Sequence, residues 1–314
     1  MQIIKNKQKN KYQASVACIG FFDGLHKGHH FLLNQVKRVA KVRNLRSAVV
    51  TFPDHPVKVI RPETPIELLT LCEEKVELLA KASIDYCFIE PFTLETSRLT
   101  AKEFMQQVLK ERYAVEVLII GYDHKFGHNR AEGFKDYCRY GQELGIEVIQ
   151  AEAYYEKEVD VSSSLIRKAI KEGDISLASV YLGYLYFVEG RVVDGKKIGR
   201  TIGFPTANIE VLNYEKLIPS FGVYAVRVEV EGSSKLHWGM LNIGNRPTMK
   251  NGSHRSIEVN ILDFNADVYN KKIRLYFVKR MRDELYFSSL DKLVDQLHKD
   301  EAEVRSIMES QVKG

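Results

Sequence analysis

The stretch Ile19-Gly-Phe-Phe-Asp-Gly-Leu-His-Lys-Gly-His29 constrains this chain more than any other. Val16 to Phe22 is an apolar run of strand length. Leu32, Val36, Val39 and Ala40 then fall on one face of a helix. The segment therefore reads as a buried strand, a glycine turn and a helix. Gly24 and Gly28 let the backbone approach a bound group closely. His26 and His29 stand at the helix start, where unpaired N–H groups and the positive end of the dipole gather. Two imidazoles there can hold a phosphate chain and stabilise charge moving between its oxygens. The plain alternative is a strand-to-helix turn with surface histidines, and Asp23 among flanking glycines speaks against it.

The first half continues to alternate. Strands are expected at Ser47–Phe52, Asp85–Ile89, Val115–Ile120 and Ile146–Ile149, with helices over Glu73–Ala82, Thr100–Arg112 and Glu132–Leu144. Thr100 and Glu103 form a capping box. This β-α alternation predicts a doubly wound parallel sheet, which binds ligands at the carboxyl ends of its strands. From about Tyr186 the pattern turns to β-rich runs: Tyr186–Val193, Gly222–Val230, His237–Ile243, Ser256–Leu262 and Lys272–Val278. Gly232-Ser-Ser234 and Asn251-Gly252 read as turns between them. That spacing predicts an antiparallel barrel, followed by an amphipathic helix from Ser288 or Ser289 that carries Leu290, Leu293, Val294, Leu297, Val304 and Met308 on one face. The expected domains are 1–183 and 184–314.

At 314 residues the chain is long enough for two ordinary domains. A net charge of +5 suits a polyanionic small ligand and does not imply nucleic acid. The densest basic stretch, Lys5 to Lys11, reads as a solvated terminus. No run approaches membrane-spanning length. Cys18, Cys72, Cys87 and Cys138 form no C-x-x-C pair, so neither zinc nor a disulfide framework is suggested. The expected compartment is the cytoplasm.

Further segments point to chemistry. Gly121-Tyr-Asp-His-Lys-Phe-Gly127 leaves an apolar strand. Asp123, His124 and His128 there would be a metal cluster only with a fourth ligand, and none stands at a suggestive spacing. Val161-Ser-Ser-Ser-Leu-Ile-Arg167 opens a helix that Gly173 ends. Its serines are natural caps, and Arg167, one turn in, can hold phosphate with two N–H bonds. Thr51-Phe-Pro-Asp-His-Pro56 is either a Pro-rich turn or part of a ligand site. Gly195-Lys-Lys-Ile-Gly-Arg-Thr-Ile-Gly-Phe-Pro-Thr-Ala-Asn208 is a glycine loop flanked by Lys196, Lys197 and Arg200.

Gly20 to His29 resembles the G-x-F-D-G-x-H-x-G-H signature of nucleotidylyltransferases. More narrowly, it resembles the first module of bacterial bifunctional riboflavin kinase/FMN adenylyltransferases. The loop ending in Pro205-Thr-Ala-Asn208 is similar to the riboflavin kinase signature in full. The blocks Gly222-Val-Tyr224, Asn242 to Thr248, Ile257 to Phe264 and Arg282 to Phe287 follow in family order.

The resemblance implies a Rossmann-like sheet of nucleotidylyltransferase type, a kinase barrel and two ATP-dependent steps. Riboflavin would become FMN, and FMN would then become FAD by adenylyl transfer. In the first module it implies catalytic His26, His29 and Arg167, with Gly20, Phe22, Asp23, Gly24, Gly28, Ser163 and Ser164 at the nucleotide. In the second it implies Glu258 as base, Thr206 and Asn208 on Mg²⁺ and phosphate, and Gly195, Gly199 and Arg200 at the nucleotide. Asp123, Phe126 and Arg282 would meet flavin.

Ser164, His124 and Asn260 stand where the family usually has Thr, Phe and His, and Pro53 and Asp54 depart from its usual order. A kinase-only enzyme and a flavin-binding regulator are the alternatives. Without the resemblance, Glu258 reads first as a solvent-face residue of a strand. Trp238, His237, His254 and His298 carry packing or surface roles.

Overall fold

A computed structural model describes residues 1–5, 12–122, 124–156, 159–195, 198–247 and 253–312. Asp123, Lys196, Lys197, Thr248, the Asn251-Gly252 turn and most of the Lys5–Lys11 stretch lie outside them. The chain divides into two compact units, Met1–Ser163 and Ser164–Gly314.

The first unit is built on six parallel strands: β1 (Gln2–Ile4), β2 (Ser15–Ile19), β3 (Arg46–Thr51), β4 (Tyr86–Ile89), β5 (Val115–Ile120) and β6 (Glu147–Gln150). Helices α1 (Lys27–Arg43), α2 (Pro56–Ile60), α3 (Cys72–Lys81), α4 (Leu94–Arg98), α5 (Ala101–Phe104) and α6 (Phe134–Leu144) lie between them. The helix expected through Arg112 continues from α5 in π geometry over Met105–Lys110. A short hairpin of β7 (Tyr155–Glu156) and β8 (Val159–Asp160) precedes α7 (Ser163–Glu172). Strand order is β1-β4-β3-β2-β5-β6. The chain winds from β2 to one side and then returns to place β5 on the other. The switch point therefore falls between β2 and β5, where open parallel sheets bind ligands. The His26/His29 turn leaves β2 there, and the Gly121 loop leaves β5.

All five residues of β2 are buried, as a strand covered on both faces requires. On α1, Leu33, Val36 and Ala40 are buried, the two larger ones worth about 1.5–3 kcal/mol each. β1, α2 and α4 were not expected. Each is five residues or shorter, too brief for a periodic pattern to register.

The second unit begins with the rest of α7 and with α8 (Ile175–Leu182), which follows the expected stop at Gly173. Asp174 caps α8 and starts it again at once. Then come β9 (Phe187–Val193), α9 (Ile198–Thr201), β10 (Ala207–Glu210), β11 (Gly222–Val230), β12 (Leu236–Pro247), β13 (Ser253–Ile261), β14 (Lys272–Arg282) and α10 (Leu290–Val312). The strands close into an antiparallel barrel in the order β10-β13-β12-β11-β14-β9. Val294, Leu297, Val304 and Ile307 of α10 pack on Phe204, Met240, Leu262 and Trp238. Trp238 is thus a packing residue, with the Arg227 guanidinium 5.0 Å from its ring. Leu290, expected on the same apolar face of α10, is exposed.

Candidate active sites

In the first unit, β2 ends at Ile19 and the chain turns sharply. Phe22 and Leu25 adopt left-handed backbone conformations, as does Gly24 at φ 77°. Such conformations cost non-glycine residues about 1–3 kcal/mol each and persist only where the surroundings impose them. Asp23 supplies much of that constraint. Its buried carboxylate accepts N–H bonds from Leu69 (3.1 Å) and Thr70 (2.9 Å), while Gly24 N donates to Thr70 Oγ1 at 2.9 Å. The turn is thereby tied to the segment leading into α3.

His26 is the N-cap of α1, and its Nδ1 accepts from His29 N at 3.4 Å. The two rings stack with centroids 3.6 Å apart and 22° between planes. Phe22 meets the His29 ring edge-on at 5.1 Å. His29 Nδ1 is buried with no hydrogen-bond partner among the described residues. Burial, reinforced by the neighbouring imidazoles of His26, His30 and His124 and by the Lys75 ammonium, holds His29 well below its ordinary value of 6.5. It is therefore neutral at neutral pH, and a buried, unpartnered nitrogen at a helix N-terminus is poised for an incoming polar group.

The remaining residues expected here are distributed unequally. Gly20 follows β2, and its N–H donates to Val50 O at 3.1 Å. Gly28 lies under the His26 ring, with Val161 O close by. Ser163, the first residue of α7, donates from Oγ to Asp23 O at 2.9 Å, which brings the start of that helix to the turn. Ser164 and Arg167 continue α7 within the second compact unit. Phe126 stacks on Tyr137 (4.4 Å, 15°) within the core beside the sheet, and His124 stacks beside it at 6.3 Å. Thr51 Oγ1 donates to Phe21 O at 3.2 Å, and His55 caps α2 while touching the Phe21 ring at 4.7 Å. The Pro-rich turn is thus both a helix start and a wall beside the histidine turn. Among the described residues, no group of three His, Cys, Asp or Glu could hold a metal ion.

In the second unit the site is laid across the barrel. Asn208 on β10 and Asn242 on β12 both pair with Glu258 on the intervening β13, so the three stand in one row. Thr206 immediately precedes β10, and Asn208 is the second residue of that strand. Thr206 Oγ1 donates to Glu258 Oε2 at 3.4 Å. Gly195 lies so close to Asn208 that an added Cβ would sit 2.0 Å from Nδ2 and would have to push the Asn208 amide aside. Gly199 makes the return turn by accepting from Phe204 N at 2.8 Å. Arg200 is exposed, 3.3 Å from Tyr269 OH. Asn260 donates to Pro205 O at 2.7 Å and so holds the Pro205–Asn208 turn.

A cavity of about 330 Å³, within the range of small-molecule sites, opens beside this row. Thr206, Glu258, Arg282, Glu284, Leu285 and Phe287 line it, together with Leu293, Leu297 and Asp300 of α10. Arg282 faces Asp300, donating from Nε at 2.9 Å and from Nη2 at 2.6 Å. Asn242, Asp300 and the wall formed by α10 were not singled out as site residues. Asn242 lies in a block that carried no chemistry beyond its place in the family order, and Asp300 reads as one polar residue on a surface helix.

Residues 8–165 match the family model for FAD synthetase, and residues 182–308 match that for riboflavin kinase. The bifunctional riboflavin kinase/FMN adenylyltransferase of Listeria monocytogenes is 38% identical over 292 residues, covering 93% of this chain and 91% of that one. The Escherichia coli protein of the same description is 35% identical over 302 residues, covering 96% and 95%. A solved Streptococcus pneumoniae chain, described as a macrolide-efflux protein, superposes with a TM-score of 0.88 at 32% identity and covers 96% of this chain and 98% of that one. With both catalytic modules matched in order, and these relatives aligned along nearly its whole length, the chain belongs to the bifunctional riboflavin kinase/FMN adenylyltransferase family.

Proposed function

We propose that the barrel domain carries the first step of FAD synthesis and the parallel-sheet domain the second, with a working boundary at 183/184. The chain phosphorylates riboflavin with ATP to give FMN, then transfers AMP from ATP to FMN, giving FAD and pyrophosphate. What carries the assignment of roles is that each compact unit holds its own assembled set: His26 on His29 in one, Thr206 on Glu258 in the other.

The two steps make different demands. The riboflavin 5′-hydroxyl is a weak nucleophile, so its proton must be taken as it attacks the γ-phosphorus. Glu258 is the base, and Arg282 and the α10 wall hold the flavin. Gly195, Gly199 and Arg200 form the phosphate loop. Thr206 Oγ1 and Asn208 Oδ1 are hard oxygen donors that fit Mg²⁺, which leaves most of its coordination to water and phosphate. When bound, Mg²⁺ would neutralise charge on the transferring phosphoryl group.

In the second step the FMN phosphate is already an anionic nucleophile, so no base is needed. Alignment and charge stabilisation suffice. Gly20, Phe22, Asp23, Gly24 and Gly28 shape the cradle, and Ser163 Oγ donates to Asp23 O within it. His26 and His29 contact the ATP phosphates. The family resemblance assigns Ser164 and Arg167 to the departing pyrophosphate and Asp123 and Phe126 to the flavin. ATP as co-substrate and four unpaired thiols fit a cytoplasmic enzyme.

The test is incubation of the pure protein with riboflavin, ATP and Mg²⁺, with the flavins separated by chromatography. FMN followed by FAD supports the scheme, and chelation of Mg²⁺ stops both steps. FMN alone would silence the first domain and overturn its assignment.

A further inference from the structure

Lys75 on α3 has no exposed surface. Its ammonium donates to Phe21 O at 2.9 Å and to Phe52 O at 2.8 Å, and it sits 4.0 Å from the centroid of the Phe21 ring. An ammonium carries three N–H groups, and two carbonyls and one ring face account for all three. Phe21 and Phe52 lie just beyond the ends of β2 and β3. The parallel ladder joins those strands up to Ile19 and Val50, and Gly20 N to Val50 O is its last rung. Past that rung, Lys75 bridges the two segments as they leave the sheet, one toward His26 and the other toward His55.

We propose that Lys75 is a positioning residue for adenylyl transfer, holding Phe21 so that the left-handed Phe22 and the stacked imidazoles keep their geometry. This rests on the reading that the first domain performs that step. A buried ammonium is a costly way to join two carbonyls, since a charge stripped of water is repaid only by near-complete hydrogen bonding. A turn that departs from common backbone conformations is where such a tether matters.

The groups facing the ammonium are Asp23 on the histidine turn, Asp54 beyond β3, Cys72 on α3, Cys87 on β4 and His29 on α1. Burial pushes Lys75 down to about 8, against the opposing pull of the Asp23 and Asp54 carboxylates. The neutral amine has only two N–H groups and a lone pair, so it loses one of the three contacts.

The test uses the full chain and compares FAD formation from supplied FMN with FMN formation from riboflavin, which reports on the barrel, while the melting transition of the first domain reports whether the mutated domain is folded. Lys75→Met should slow FAD formation about tenfold or more, mainly in kcat, with FMN formation within about twofold of wild type. In the wild type, kcat for FAD formation should fall as pH rises through about 8. That alkaline limb should vanish in Lys75→Arg, whose guanidinium stays charged. A Lys75→Met variant that makes FAD at the wild-type rate overturns the proposal. So does a wild-type profile flat across that pH range, which decides the matter even if Lys75→Met does not fold. A wild type that makes FMN but no FAD overturns the adenylyl-transfer assignment itself.

Discussion

The two sites of this chain are assembled in opposite ways. In the first domain the candidate histidines sit on a turn beyond a strand end, tied back by side-chain bonds such as Asp23 to Leu69 and Thr70. In the barrel they sit on the strands themselves, and antiparallel register lines up Asn208, Glu258 and Asn242. A turn can hold an unusual backbone, which suits a cradle for phosphates. A strand holds a side chain at fixed spacing from its neighbours, which suits a base that must meet one proton. The contrast fits the roles proposed above: one step would need alignment and charge, the other also a carboxylate in place.

Several substitutions would break or sharpen that contrast. The largest effect is expected for Glu258→Gln, which should lower FMN formation about 10²–10⁴-fold and leave FAD formation from supplied FMN intact. Equal loss of both would erase the division of labour. His29→Ala should do the reverse, costing FAD formation about 10²–10³-fold while the kinase runs normally. Gly195→Ala forces a Cβ against Asn208 Nδ2. A displacement of about 1 Å there should cost roughly 10²-fold in the kinase step alone, and steady-state kinetics of FMN formation would show it.

Two predictions concern stability. Asp23→Ala strands the N–H groups of Leu69 and Thr70, each worth about 1–3 kcal/mol when buried and unmet. The melting transition of the first domain should drop by several degrees, with that of the barrel unmoved. The smallest effect comes from His29, whose native value lies below the unfolded value of about 6.5. Between those two values the unfolded chain binds a proton that the native state refuses. Stability should therefore be full above about pH 6.5 and decline as pH falls below it. Denaturant midpoints at about pH 7.5 and 5.5 should differ more in wild type than in His29→Phe, and an equal difference would mean that other groups carry the acid sensitivity.

The histidine turn of the first candidate site was legible because its residues are neighbours in the chain. Gly20 to His29 contains the strand end, the turn, the cap and both imidazoles, so periodicity and turn chemistry sufficed to place them. The barrel site was legible only in part. Thr206 and Asn208 announced themselves in one motif, but Glu258 alternates with Ile257 and Val259 as any half-exposed strand residue would. Its partner Asn242 became visible only when β12 paired with β13. The short elements β1, β10, α2 and α4 escaped for a related reason. A run of five residues or fewer carries too little pattern, and it is stabilised by neighbours remote in sequence. Asn260 holds Pro205 O from a position where the family usually has His, and nothing near Asn260 in the chain hints at that bond.

By itself the sequence determined what is local: a β-α alternation changing to a β-rich half, two glycine turns of a kind that suits phosphate, and residue types that adenylyl and phosphoryl transfer can use. Only the tertiary structure decided what joins across long separations. It set the switch point between β2 and β5, the row of Asn208, Glu258 and Asn242, the grip of Asp300 on Arg282, and the Lys75 bridge between Phe21 and Phe52. Local preference depends on neighbours within a few residues. Register, burial and the pairing of buried charges depend on how distant segments meet, and no window of sequence contains that.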